Sequence, residues 1–481
     1  MQDRYERDAE HFLEGLNREY YLADAGLKET LAIAPLYDEY GWLFGREAVD
    51  GLLRGRQDRT SRYLADFAAQ GYLDDSVKAL TEEATNAKIQ AKVEWDGQEI
   101  PYRSAAVVLA NEPDSGRRHE LNQRLAERTA ESNPQLLRRL RRLHLEAGAL
   151  GFADYVALCD DLGGLNLLWL GERMAELLER TGPVHYRRLE NMLAGIGVAR
   201  ESADNSDLAF LFRAPQFDAL FPKDRLLYTL GQTLGGLGID IDRQPNVELD
   251  VSERPLKSPR AFCATIRVPE EIKLVIMPHG GQDDYHALLH EAGHAEHFAH
   301  TAADLDFAFR HLGDNSVTEG YAMLLDELPR SPRWLAEVLG VAKPEAFLRL
   351  INFRKLYMLR RYAAKLAYEL RLHRSDGAGL AEVYAQTLGG NLGLQIKPEN
   401  YLNDLDDAFY VARYIRAWIF EVQLRRALEA RFGQSWFASR AAGRFLTDLW
   451  REGQKYSADE LAQRLGYAGL DPQPLIEELI A

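Results

Sequence analysis

The sequence predicts a mainly helical protein with one small β-sheet placed directly before a histidine-rich helix. Three observations carry this. Apolar residues recur at helical spacing over most of the 481 residues. The stretch PNVELDVSERPLKSPRAFCATIRVPEEIKLVIMPHG (245–280) lacks that spacing and is rich in proline and β-branched residues. HALLHEAGHAEHFAH (286–300) then gathers five of the chain's 12 histidines.

In chain order, the first third is helical except for NAKIQAKVEWDGQEIPY (86–102), where Asp96-Gly97 is a turn signal and predicts a hairpin. DSGRRHELNQRLAERTAESNPQLLRRLRRLHLEAGALGF (114–152) predicts two charged amphipathic helices with a break near Asn133-Pro134. Its arginine cluster, 138–142, reads as a solvated helix face. Two or three short strands follow in 245–280, the surest being IKLVIM. After Gly281 helices resume and run on to the C-terminus. No solenoid repeat and no low-complexity linker interrupts the chain. The length suits two or three domains, or one large bilobed one.

Hydrophobic residues at 46% and charged residues at 27% are ordinary for a globular protein. A net charge of -16 and a pI near 5.3 argue against nucleic acid or an anionic membrane as partner. Two cysteines, Cys159 and Cys263, argue against a disulfide framework and fit a reducing compartment. The start, MQDRYERDAEHF, has no apolar core of signal-peptide length, and no apolar run is long enough to span a bilayer. The expectation is a soluble, cytoplasmic protein.

His290-Glu291-Ala292-Gly293-His294 fits H-E-x-x-H. On a helix, residues i and i+4 lie about 40° apart and about 6 Å along the axis, so two imidazoles converge on one ion. The glutamate between them then reaches a water on that ion. A catalytic zinc needs a third protein ligand and one open position. Three candidates exist. His300 has the spacing of a third histidine, but that pattern needs a glycine at 297 to end the helix, and 297 is histidine. His297 falls on the same face as His290, displaced along the axis, which suits hydrogen bonding behind the ligands or lining the site. Glu319, 25 residues beyond His294, leaves room for a turn and an antiparallel helix. Ser316-Val317-Thr318-Glu319 is also a capping box, which competes for the same carboxylate.

At this point DDYHALLHEAGHAEHFAH (283–300) resembles the signature of the thimet oligopeptidase/oligoendopeptidase F family of zinc peptidases. Asp284, His290, Glu291, Gly293, His294 and His297 match that pattern. DVSERPLKSPRAF (250–262), LEAGALGFADYVAL (145–158) and AFYVARYIRAWIFEVQL (408–424) are similar to further segments of the family. In length, and in the pair Arg413-Tyr414, the chain also resembles helical carboxypeptidases and angiotensin-converting-enzyme-like dipeptidases. The resemblance implies a bilobed helical zincin with a deep substrate channel. It implies one bilobed domain over 1–481, with 1–140 as a helical lid region, 141–432 as the core and 433–481 as a C-terminal helical region. It also implies one Zn²⁺ per chain held by His290, His294 and Glu319, and short peptides as substrates.

In this reading Glu291 is the general base, and Tyr410 or Tyr414, four apart on one helix face, donates to the oxyanion. Asp284, His297 and Arg413 support the site or line it. ATIRV or IKLVIM walls the cleft and offers an edge to an extended peptide. The chain departs from the family at Arg260, where a glycine is expected, and in having no histidine after His373. Two alternatives remain. One is a carboxypeptidase or dipeptidyl carboxypeptidase that holds a free carboxylate through Arg413, Arg260 or Lys257. The other is a non-catalytic scaffold.

Overall fold

The computed structural model describes residues 2–375 and 379–481. Helices predominate, as the periodicity predicts. Those used below are α1 (Gln2–Asp24), α2 (Arg59–Gln90), α3 (Ser115–Ala130), α4 (Asn133–Ala149), α5 (Leu167–Gly195), α6 (Gln282–His300), α7 (Asn315–Asp326), α8 (Glu345–Leu372), α9 (Leu380–Leu392) and α10 (Tyr410–Phe432). The strands are β1 (Lys92–Trp95), β2 (Gln98–Pro101), β3 (Val247–Asp250), β4 (Phe262–Arg267) and β5 (Glu271–Val275). No helix among the described residues is long and apolar enough to cross a membrane.

The chain divides into two compact units, each assembled from separated stretches. One comprises Met1–Lys28, Ala214–Asn352 and Arg413–Glu478; the other comprises Glu29–Arg213, Phe353–Ala412 and Leu479–Ala481.

The first unit contains the three-stranded sheet, in the order β3-β5-β4, with β3 parallel and β4 antiparallel to β5. Alternation along β4 divides its side chains between two faces. Phe262, Ala264 and Ile266 pack with Val275 against Tyr21 and Ala25 at the end of α1. Helix α6 packs against β4 and β5. IKLVIM therefore lies in the middle of the sheet and offers no edge, which corrects one half of the sequence reading. The edge strands are β3 and β4, and the Thr265 carbonyl of β4 already accepts from Asn17 Nδ2 at 2.8 Å.

The segment 250–258 clasps α1 to this sheet. The Lys257 ammonium lies within 3.2 Å of the Asp250 carboxylate and of the Asp250, Ser252 and Ile276 carbonyls. Arg254 bonds Asp250 and donates to the Ala25 carbonyl, and the Ser258 amide donates to Asp24 at 2.7 Å. Gly26 makes this possible. At φ +68° it lies so close that a Cβ would stand 2.4 Å from the Lys257 amide nitrogen.

The second unit carries the hairpin, at the predicted turn. Trp95 pairs Gln98 around Asp96 and Gly97, both at positive φ, and Val93 anchors the hairpin to Leu109 and Leu121. Helices α3 and α4 bracket the predicted break. Of the arginine cluster, Arg138, Arg141 and Arg142 are exposed, whereas Arg139 makes a bidentate pair with Asp407 at 2.8 and 2.7 Å. Two buried polar side chains fasten three long helices. Arg360 of α8 donates to the Asn391 carbonyl of α9, and to the Leu178 carbonyl and Thr181 hydroxyl of α5. His185 of α5 bonds the Leu392 carbonyl at 2.9 Å.

Burial lowers the His185 pKa to about 4, so the folded chain keeps this ring neutral. The unfolded chain takes up a proton below about pH 6.5 and the folded chain does not. Stability is therefore fully present above pH 6.5 and falls as the pH drops toward 4. We predict that His185→Gln, which keeps a donor for Leu392, lowers the slope of unfolding free energy against pH by about 1.4 kcal/mol per unit in that window. Urea unfolding across pH 4–7 measures this, and an unchanged slope would contradict it.

Candidate metal centre

The site lies within the first unit, on α6 and α7. Asp284 shapes the entry to α6. Its Oδ2 accepts from the His279 amide at 2.7 Å and the Gly280 amide at 2.5 Å, and burial pushes its pKa up. Asp284 thus organises a loop and touches no other site residue through these bonds. Helix α6 then runs unbroken to His300, as the missing glycine at 297 predicts.

Helix α7 lies against α6, and one glycine sets how closely. A Cβ on Gly293 would stand 2.5 Å from Ala322 Cα and 2.8 Å from the Tyr321 carbonyl oxygen. With no side chain at the x-x position just before the second histidine, the two backbones touch. The competing reading of Glu319 as a capping residue does not hold. Asp314 caps α7, accepting from the Ser316 amide at 3.0 Å, which leaves the Glu319 carboxylate to face the histidines.

That carboxylate is buried. Its Oε2 lies 3.4 Å from His290 Nε2 and 3.5 Å from His294 Nε2, and the two imidazole rings stand almost perpendicular with centroids 4.9 Å apart. One ligand atom from each of the three residues lies within 4.8 Å of the others. The far side of each ring is held as well. His290 Nδ1 is 2.9 Å from Asp326 Oδ2, and His294 Nδ1 is 2.8 Å from Thr318 Oγ1. Those bonds fix both ring orientations and turn both Nε2 atoms toward Glu319. Two imidazole nitrogens and one carboxylate oxygen, converging with their outer partners satisfied, form a donor set that fits zinc.

The electrostatics agree with the geometry. Burial works against an ionised Glu319, but the charges and hydrogen bonds of His294 and His290 outweigh it and hold the carboxyl well below the usual carboxylate range. Burial likewise disfavours a charged His290, and the Asp326 and Glu319 bonds override it to push its pKa up. Burial raises the Glu291 carboxyl. The two histidines and a bond from the Cys263 backbone amide oppose that rise. Burial and the nearby Glu291 and Glu296 charges keep the Cys263 thiol protonated.

The remaining histidines of the cluster separate clearly. His300 Nδ1 turns back to the Glu296 carbonyl at 2.9 Å. His297 is completely buried, bonds the Gly453 carbonyl at 3.2 Å and packs edge-on against Tyr321 of α7. It therefore lines no accessible surface and bonds Gly453 rather than a ligand, which corrects the lining role read from its spacing. Tyr414 sits with Tyr410 and Trp418 on a half-exposed stripe of α10, whose neighbouring positions are buried. Arg413 is buried, 3.6 Å from Asp314. Of the cations considered for a free carboxylate, only Arg260 is exposed.

Asp326, Thr318 and the Cys263 amide were not anticipated. Asp326 lies seven residues beyond Glu319, on nearly the same helix face, which is a usable signal. Its pairing with His290 depends on how α7 sits on α6, which spacing does not give.

No family model matches the sequence, and no curated protein matches it. Solved structures do share its fold. The crystal structure of BsuCP matches with a TM-score of 0.64 at 15% identity, over 99% of this chain and 97% of that chain. A protein provisionally named oligoendopeptidase F, from Bacillus anthracis str. Ames, matches with a TM-score of 0.61 at 15% identity, over 96% of this chain and 83% of that chain. At this identity the likeness establishes the mainly helical fold.

Two outcomes are expected from this geometry. Asp326→Ala weakens zinc affinity about 10- to 100-fold, measured by competition with a chromophoric chelator. An unchanged affinity would mean that Asp326 does not orient His290. Gly293→Ala forces α6 and α7 apart and destabilises the protein by about 1–3 kcal/mol, read as a lowered midpoint in urea unfolding.

Proposed function

We propose that the protein is a zinc-dependent peptidase acting on short unstructured peptides. The convergence of His290, His294 and Glu319 carries this reading, with Glu291 placed one residue after the first ligand. A purely structural metal site has no use for that carboxylate. The shared fold with a protein bearing the name oligoendopeptidase F supports the choice of peptides as substrate.

Zinc at this donor set supplies Lewis acidity, which lowers the pKa of a water and polarises a carbonyl. Glu291 takes a proton from the attacking water and returns it to the leaving amine nitrogen. A carboxyl raised by burial is a stronger proton acceptor than an exposed one, which suits the base's half of that task. Asp326 and Thr318 hold the imidazoles still while the charge on the reacting groups changes. Tyr414, half-exposed on its helix, is the phenol proposed to donate to the developing oxyanion, with Tyr410 on the same stripe as the second candidate.

The carboxypeptidase alternative loses two of its three cations and keeps the exposed Arg260. Lys257 and Arg413 both face internal carboxylates, Asp250 and Asp314. Neither is placed as a ready partner for a substrate's free C-terminus.

Glu291→Gln tests the central assignment. It should keep about one zinc per chain by metal analysis and lose about 10²- to 10⁴-fold in kcat on a short fluorogenic peptide. Turnover at the wild-type rate would remove Glu291 as the base. A wild-type chain that holds zinc yet cleaves no peptide would remove the peptidase assignment.

A further inference from the structure

Helix α10 presents one face to α7. Arg413, Arg416, Ala417 and Phe420 fall at i, i+3, i+4 and i+7, which is one stripe of a helix. The contact is tight at Gly320, where a Cβ would stand 2.4 Å from the Phe420 ring and 3.5 Å from the Ala417 carbonyl oxygen. Tyr321 adds an edge-on contact with Phe420 at 5.8 Å.

A buried charge cluster stands at the N-terminal end of the contact. Asp314, the cap of α7, places Oδ1 3.0 Å from the Ser316 amide and 3.6 Å from Arg413. Its Oδ2 lies 3.1 Å from Arg416 and 3.1 Å from the Ala458 amide. Arg416 also pairs with Asp459 at 2.8 Å. Asp314, Arg413 and Arg416 are all at least nine-tenths buried. One carboxylate thus joins the start of α7 to two arginines of α10.

The position of the cluster gives it a consequence for the site. Glu319 is the residue before Gly320, and Tyr414 is the residue after Arg413. The proposed ligand and the proposed donor therefore each sit one residue from the contact stripe. A slide of α10 along α7 would shift Tyr414 relative to Glu319, and a slip of one turn is about 5.4 Å. We infer that Asp314 and Arg413 are positioning residues, which set the register of Tyr414 against the helix that carries Glu319. This inference rests on the peptidase reading given above.

The test is a double-mutant cycle on the full, zinc-loaded chain, with kinetics on a short fluorogenic peptide and zinc content measured for each variant. Arg413→Gln should lower kcat about 10- to 100-fold, with KM changed less than about threefold and zinc content unchanged. In a Tyr414→Phe background the same substitution should cost nothing further, because the group it positions is already missing its hydroxyl. Equal losses in both backgrounds would overturn the inference, as would a loss of zinc. Asp314→Asn keeps an acceptor for the Ser316 amide and removes the charge. It should reproduce the Arg413→Gln signature, and if it fails to fold, the Arg413 cycle decides alone. A wild-type chain without turnover would instead overturn the peptidase reading, which separates the two failures.

Discussion

The site depends on the backbone contact between α6 and α7 at Gly293. Three ligand atoms from two helices meet only if the helices approach closer than side chains normally permit. Interaxial distances between packed helices usually run 8–10 Å, set by the residues at the crossing. Gly293 removes the side chain at that crossing, and the antiparallel course of the helices does the rest. His290 then meets the C-terminal end of α7 at Asp326, and His294 meets its start at Thr318. Glu319 lies near both rings where the bare backbone at Gly293 lets the two helices touch. The same logic recurs at Gly320, where α7 meets α10. The helix that supplies the carboxylate is therefore packed closely on two sides, and its neighbours at both contacts are functional candidates.

Much of this was legible in the sequence. The hairpin followed from Asp96-Gly97, the paired helices from Asn133-Pro134, and the sheet from the break in helical spacing. The convergence of His290 and His294 followed from a spacing of four. The distinction of His300 followed from the residue at 297, since histidine continues a helix that glycine would end. What stayed hidden was tertiary. A capping box and a ligand make the same demand on Glu319, and the sequence alone does not say that Asp314 has taken the cap. The order β3-β5-β4, which removes IKLVIM from the edge, depends on a parallel crossover that periodicity does not record.

Residues that looked chemical in the sequence also proved to be structural in the fold. Asp250, Arg254 and Lys257 fall in a segment similar to one of the family, with Lys257 a candidate cation for a free carboxylate, yet they close a turn over the end of α1. Lys257 is the clearest case, with four acceptors around one ammonium. Burial of such a group is tolerated only when its hydrogen bonds are complete, so its presence in the interior reports a satisfied network rather than reactivity. Asp284 is similar, since its carboxylate closes the loop that leads into α6. In both cases the residue type was the right signal for importance and the wrong signal for chemistry.

The discontinuity of the first unit bears on how the protein is made. Its sheet is covered by α1, drawn from the first 28 residues, and Arg413 and Arg416 lie near the other end of the chain. During synthesis the ribosome delivers α1 long before the strands it covers, and delivers α6 and α7 before the helix that packs against them. Contacts of such large sequence separation form slowly, because loop closure must precede the packing that rewards it. The three proposed ligand side chains are thus all present in the nascent polypeptide before the helices packed around them are complete. Complete packing around the proposed metal site therefore waits until α10 has been made.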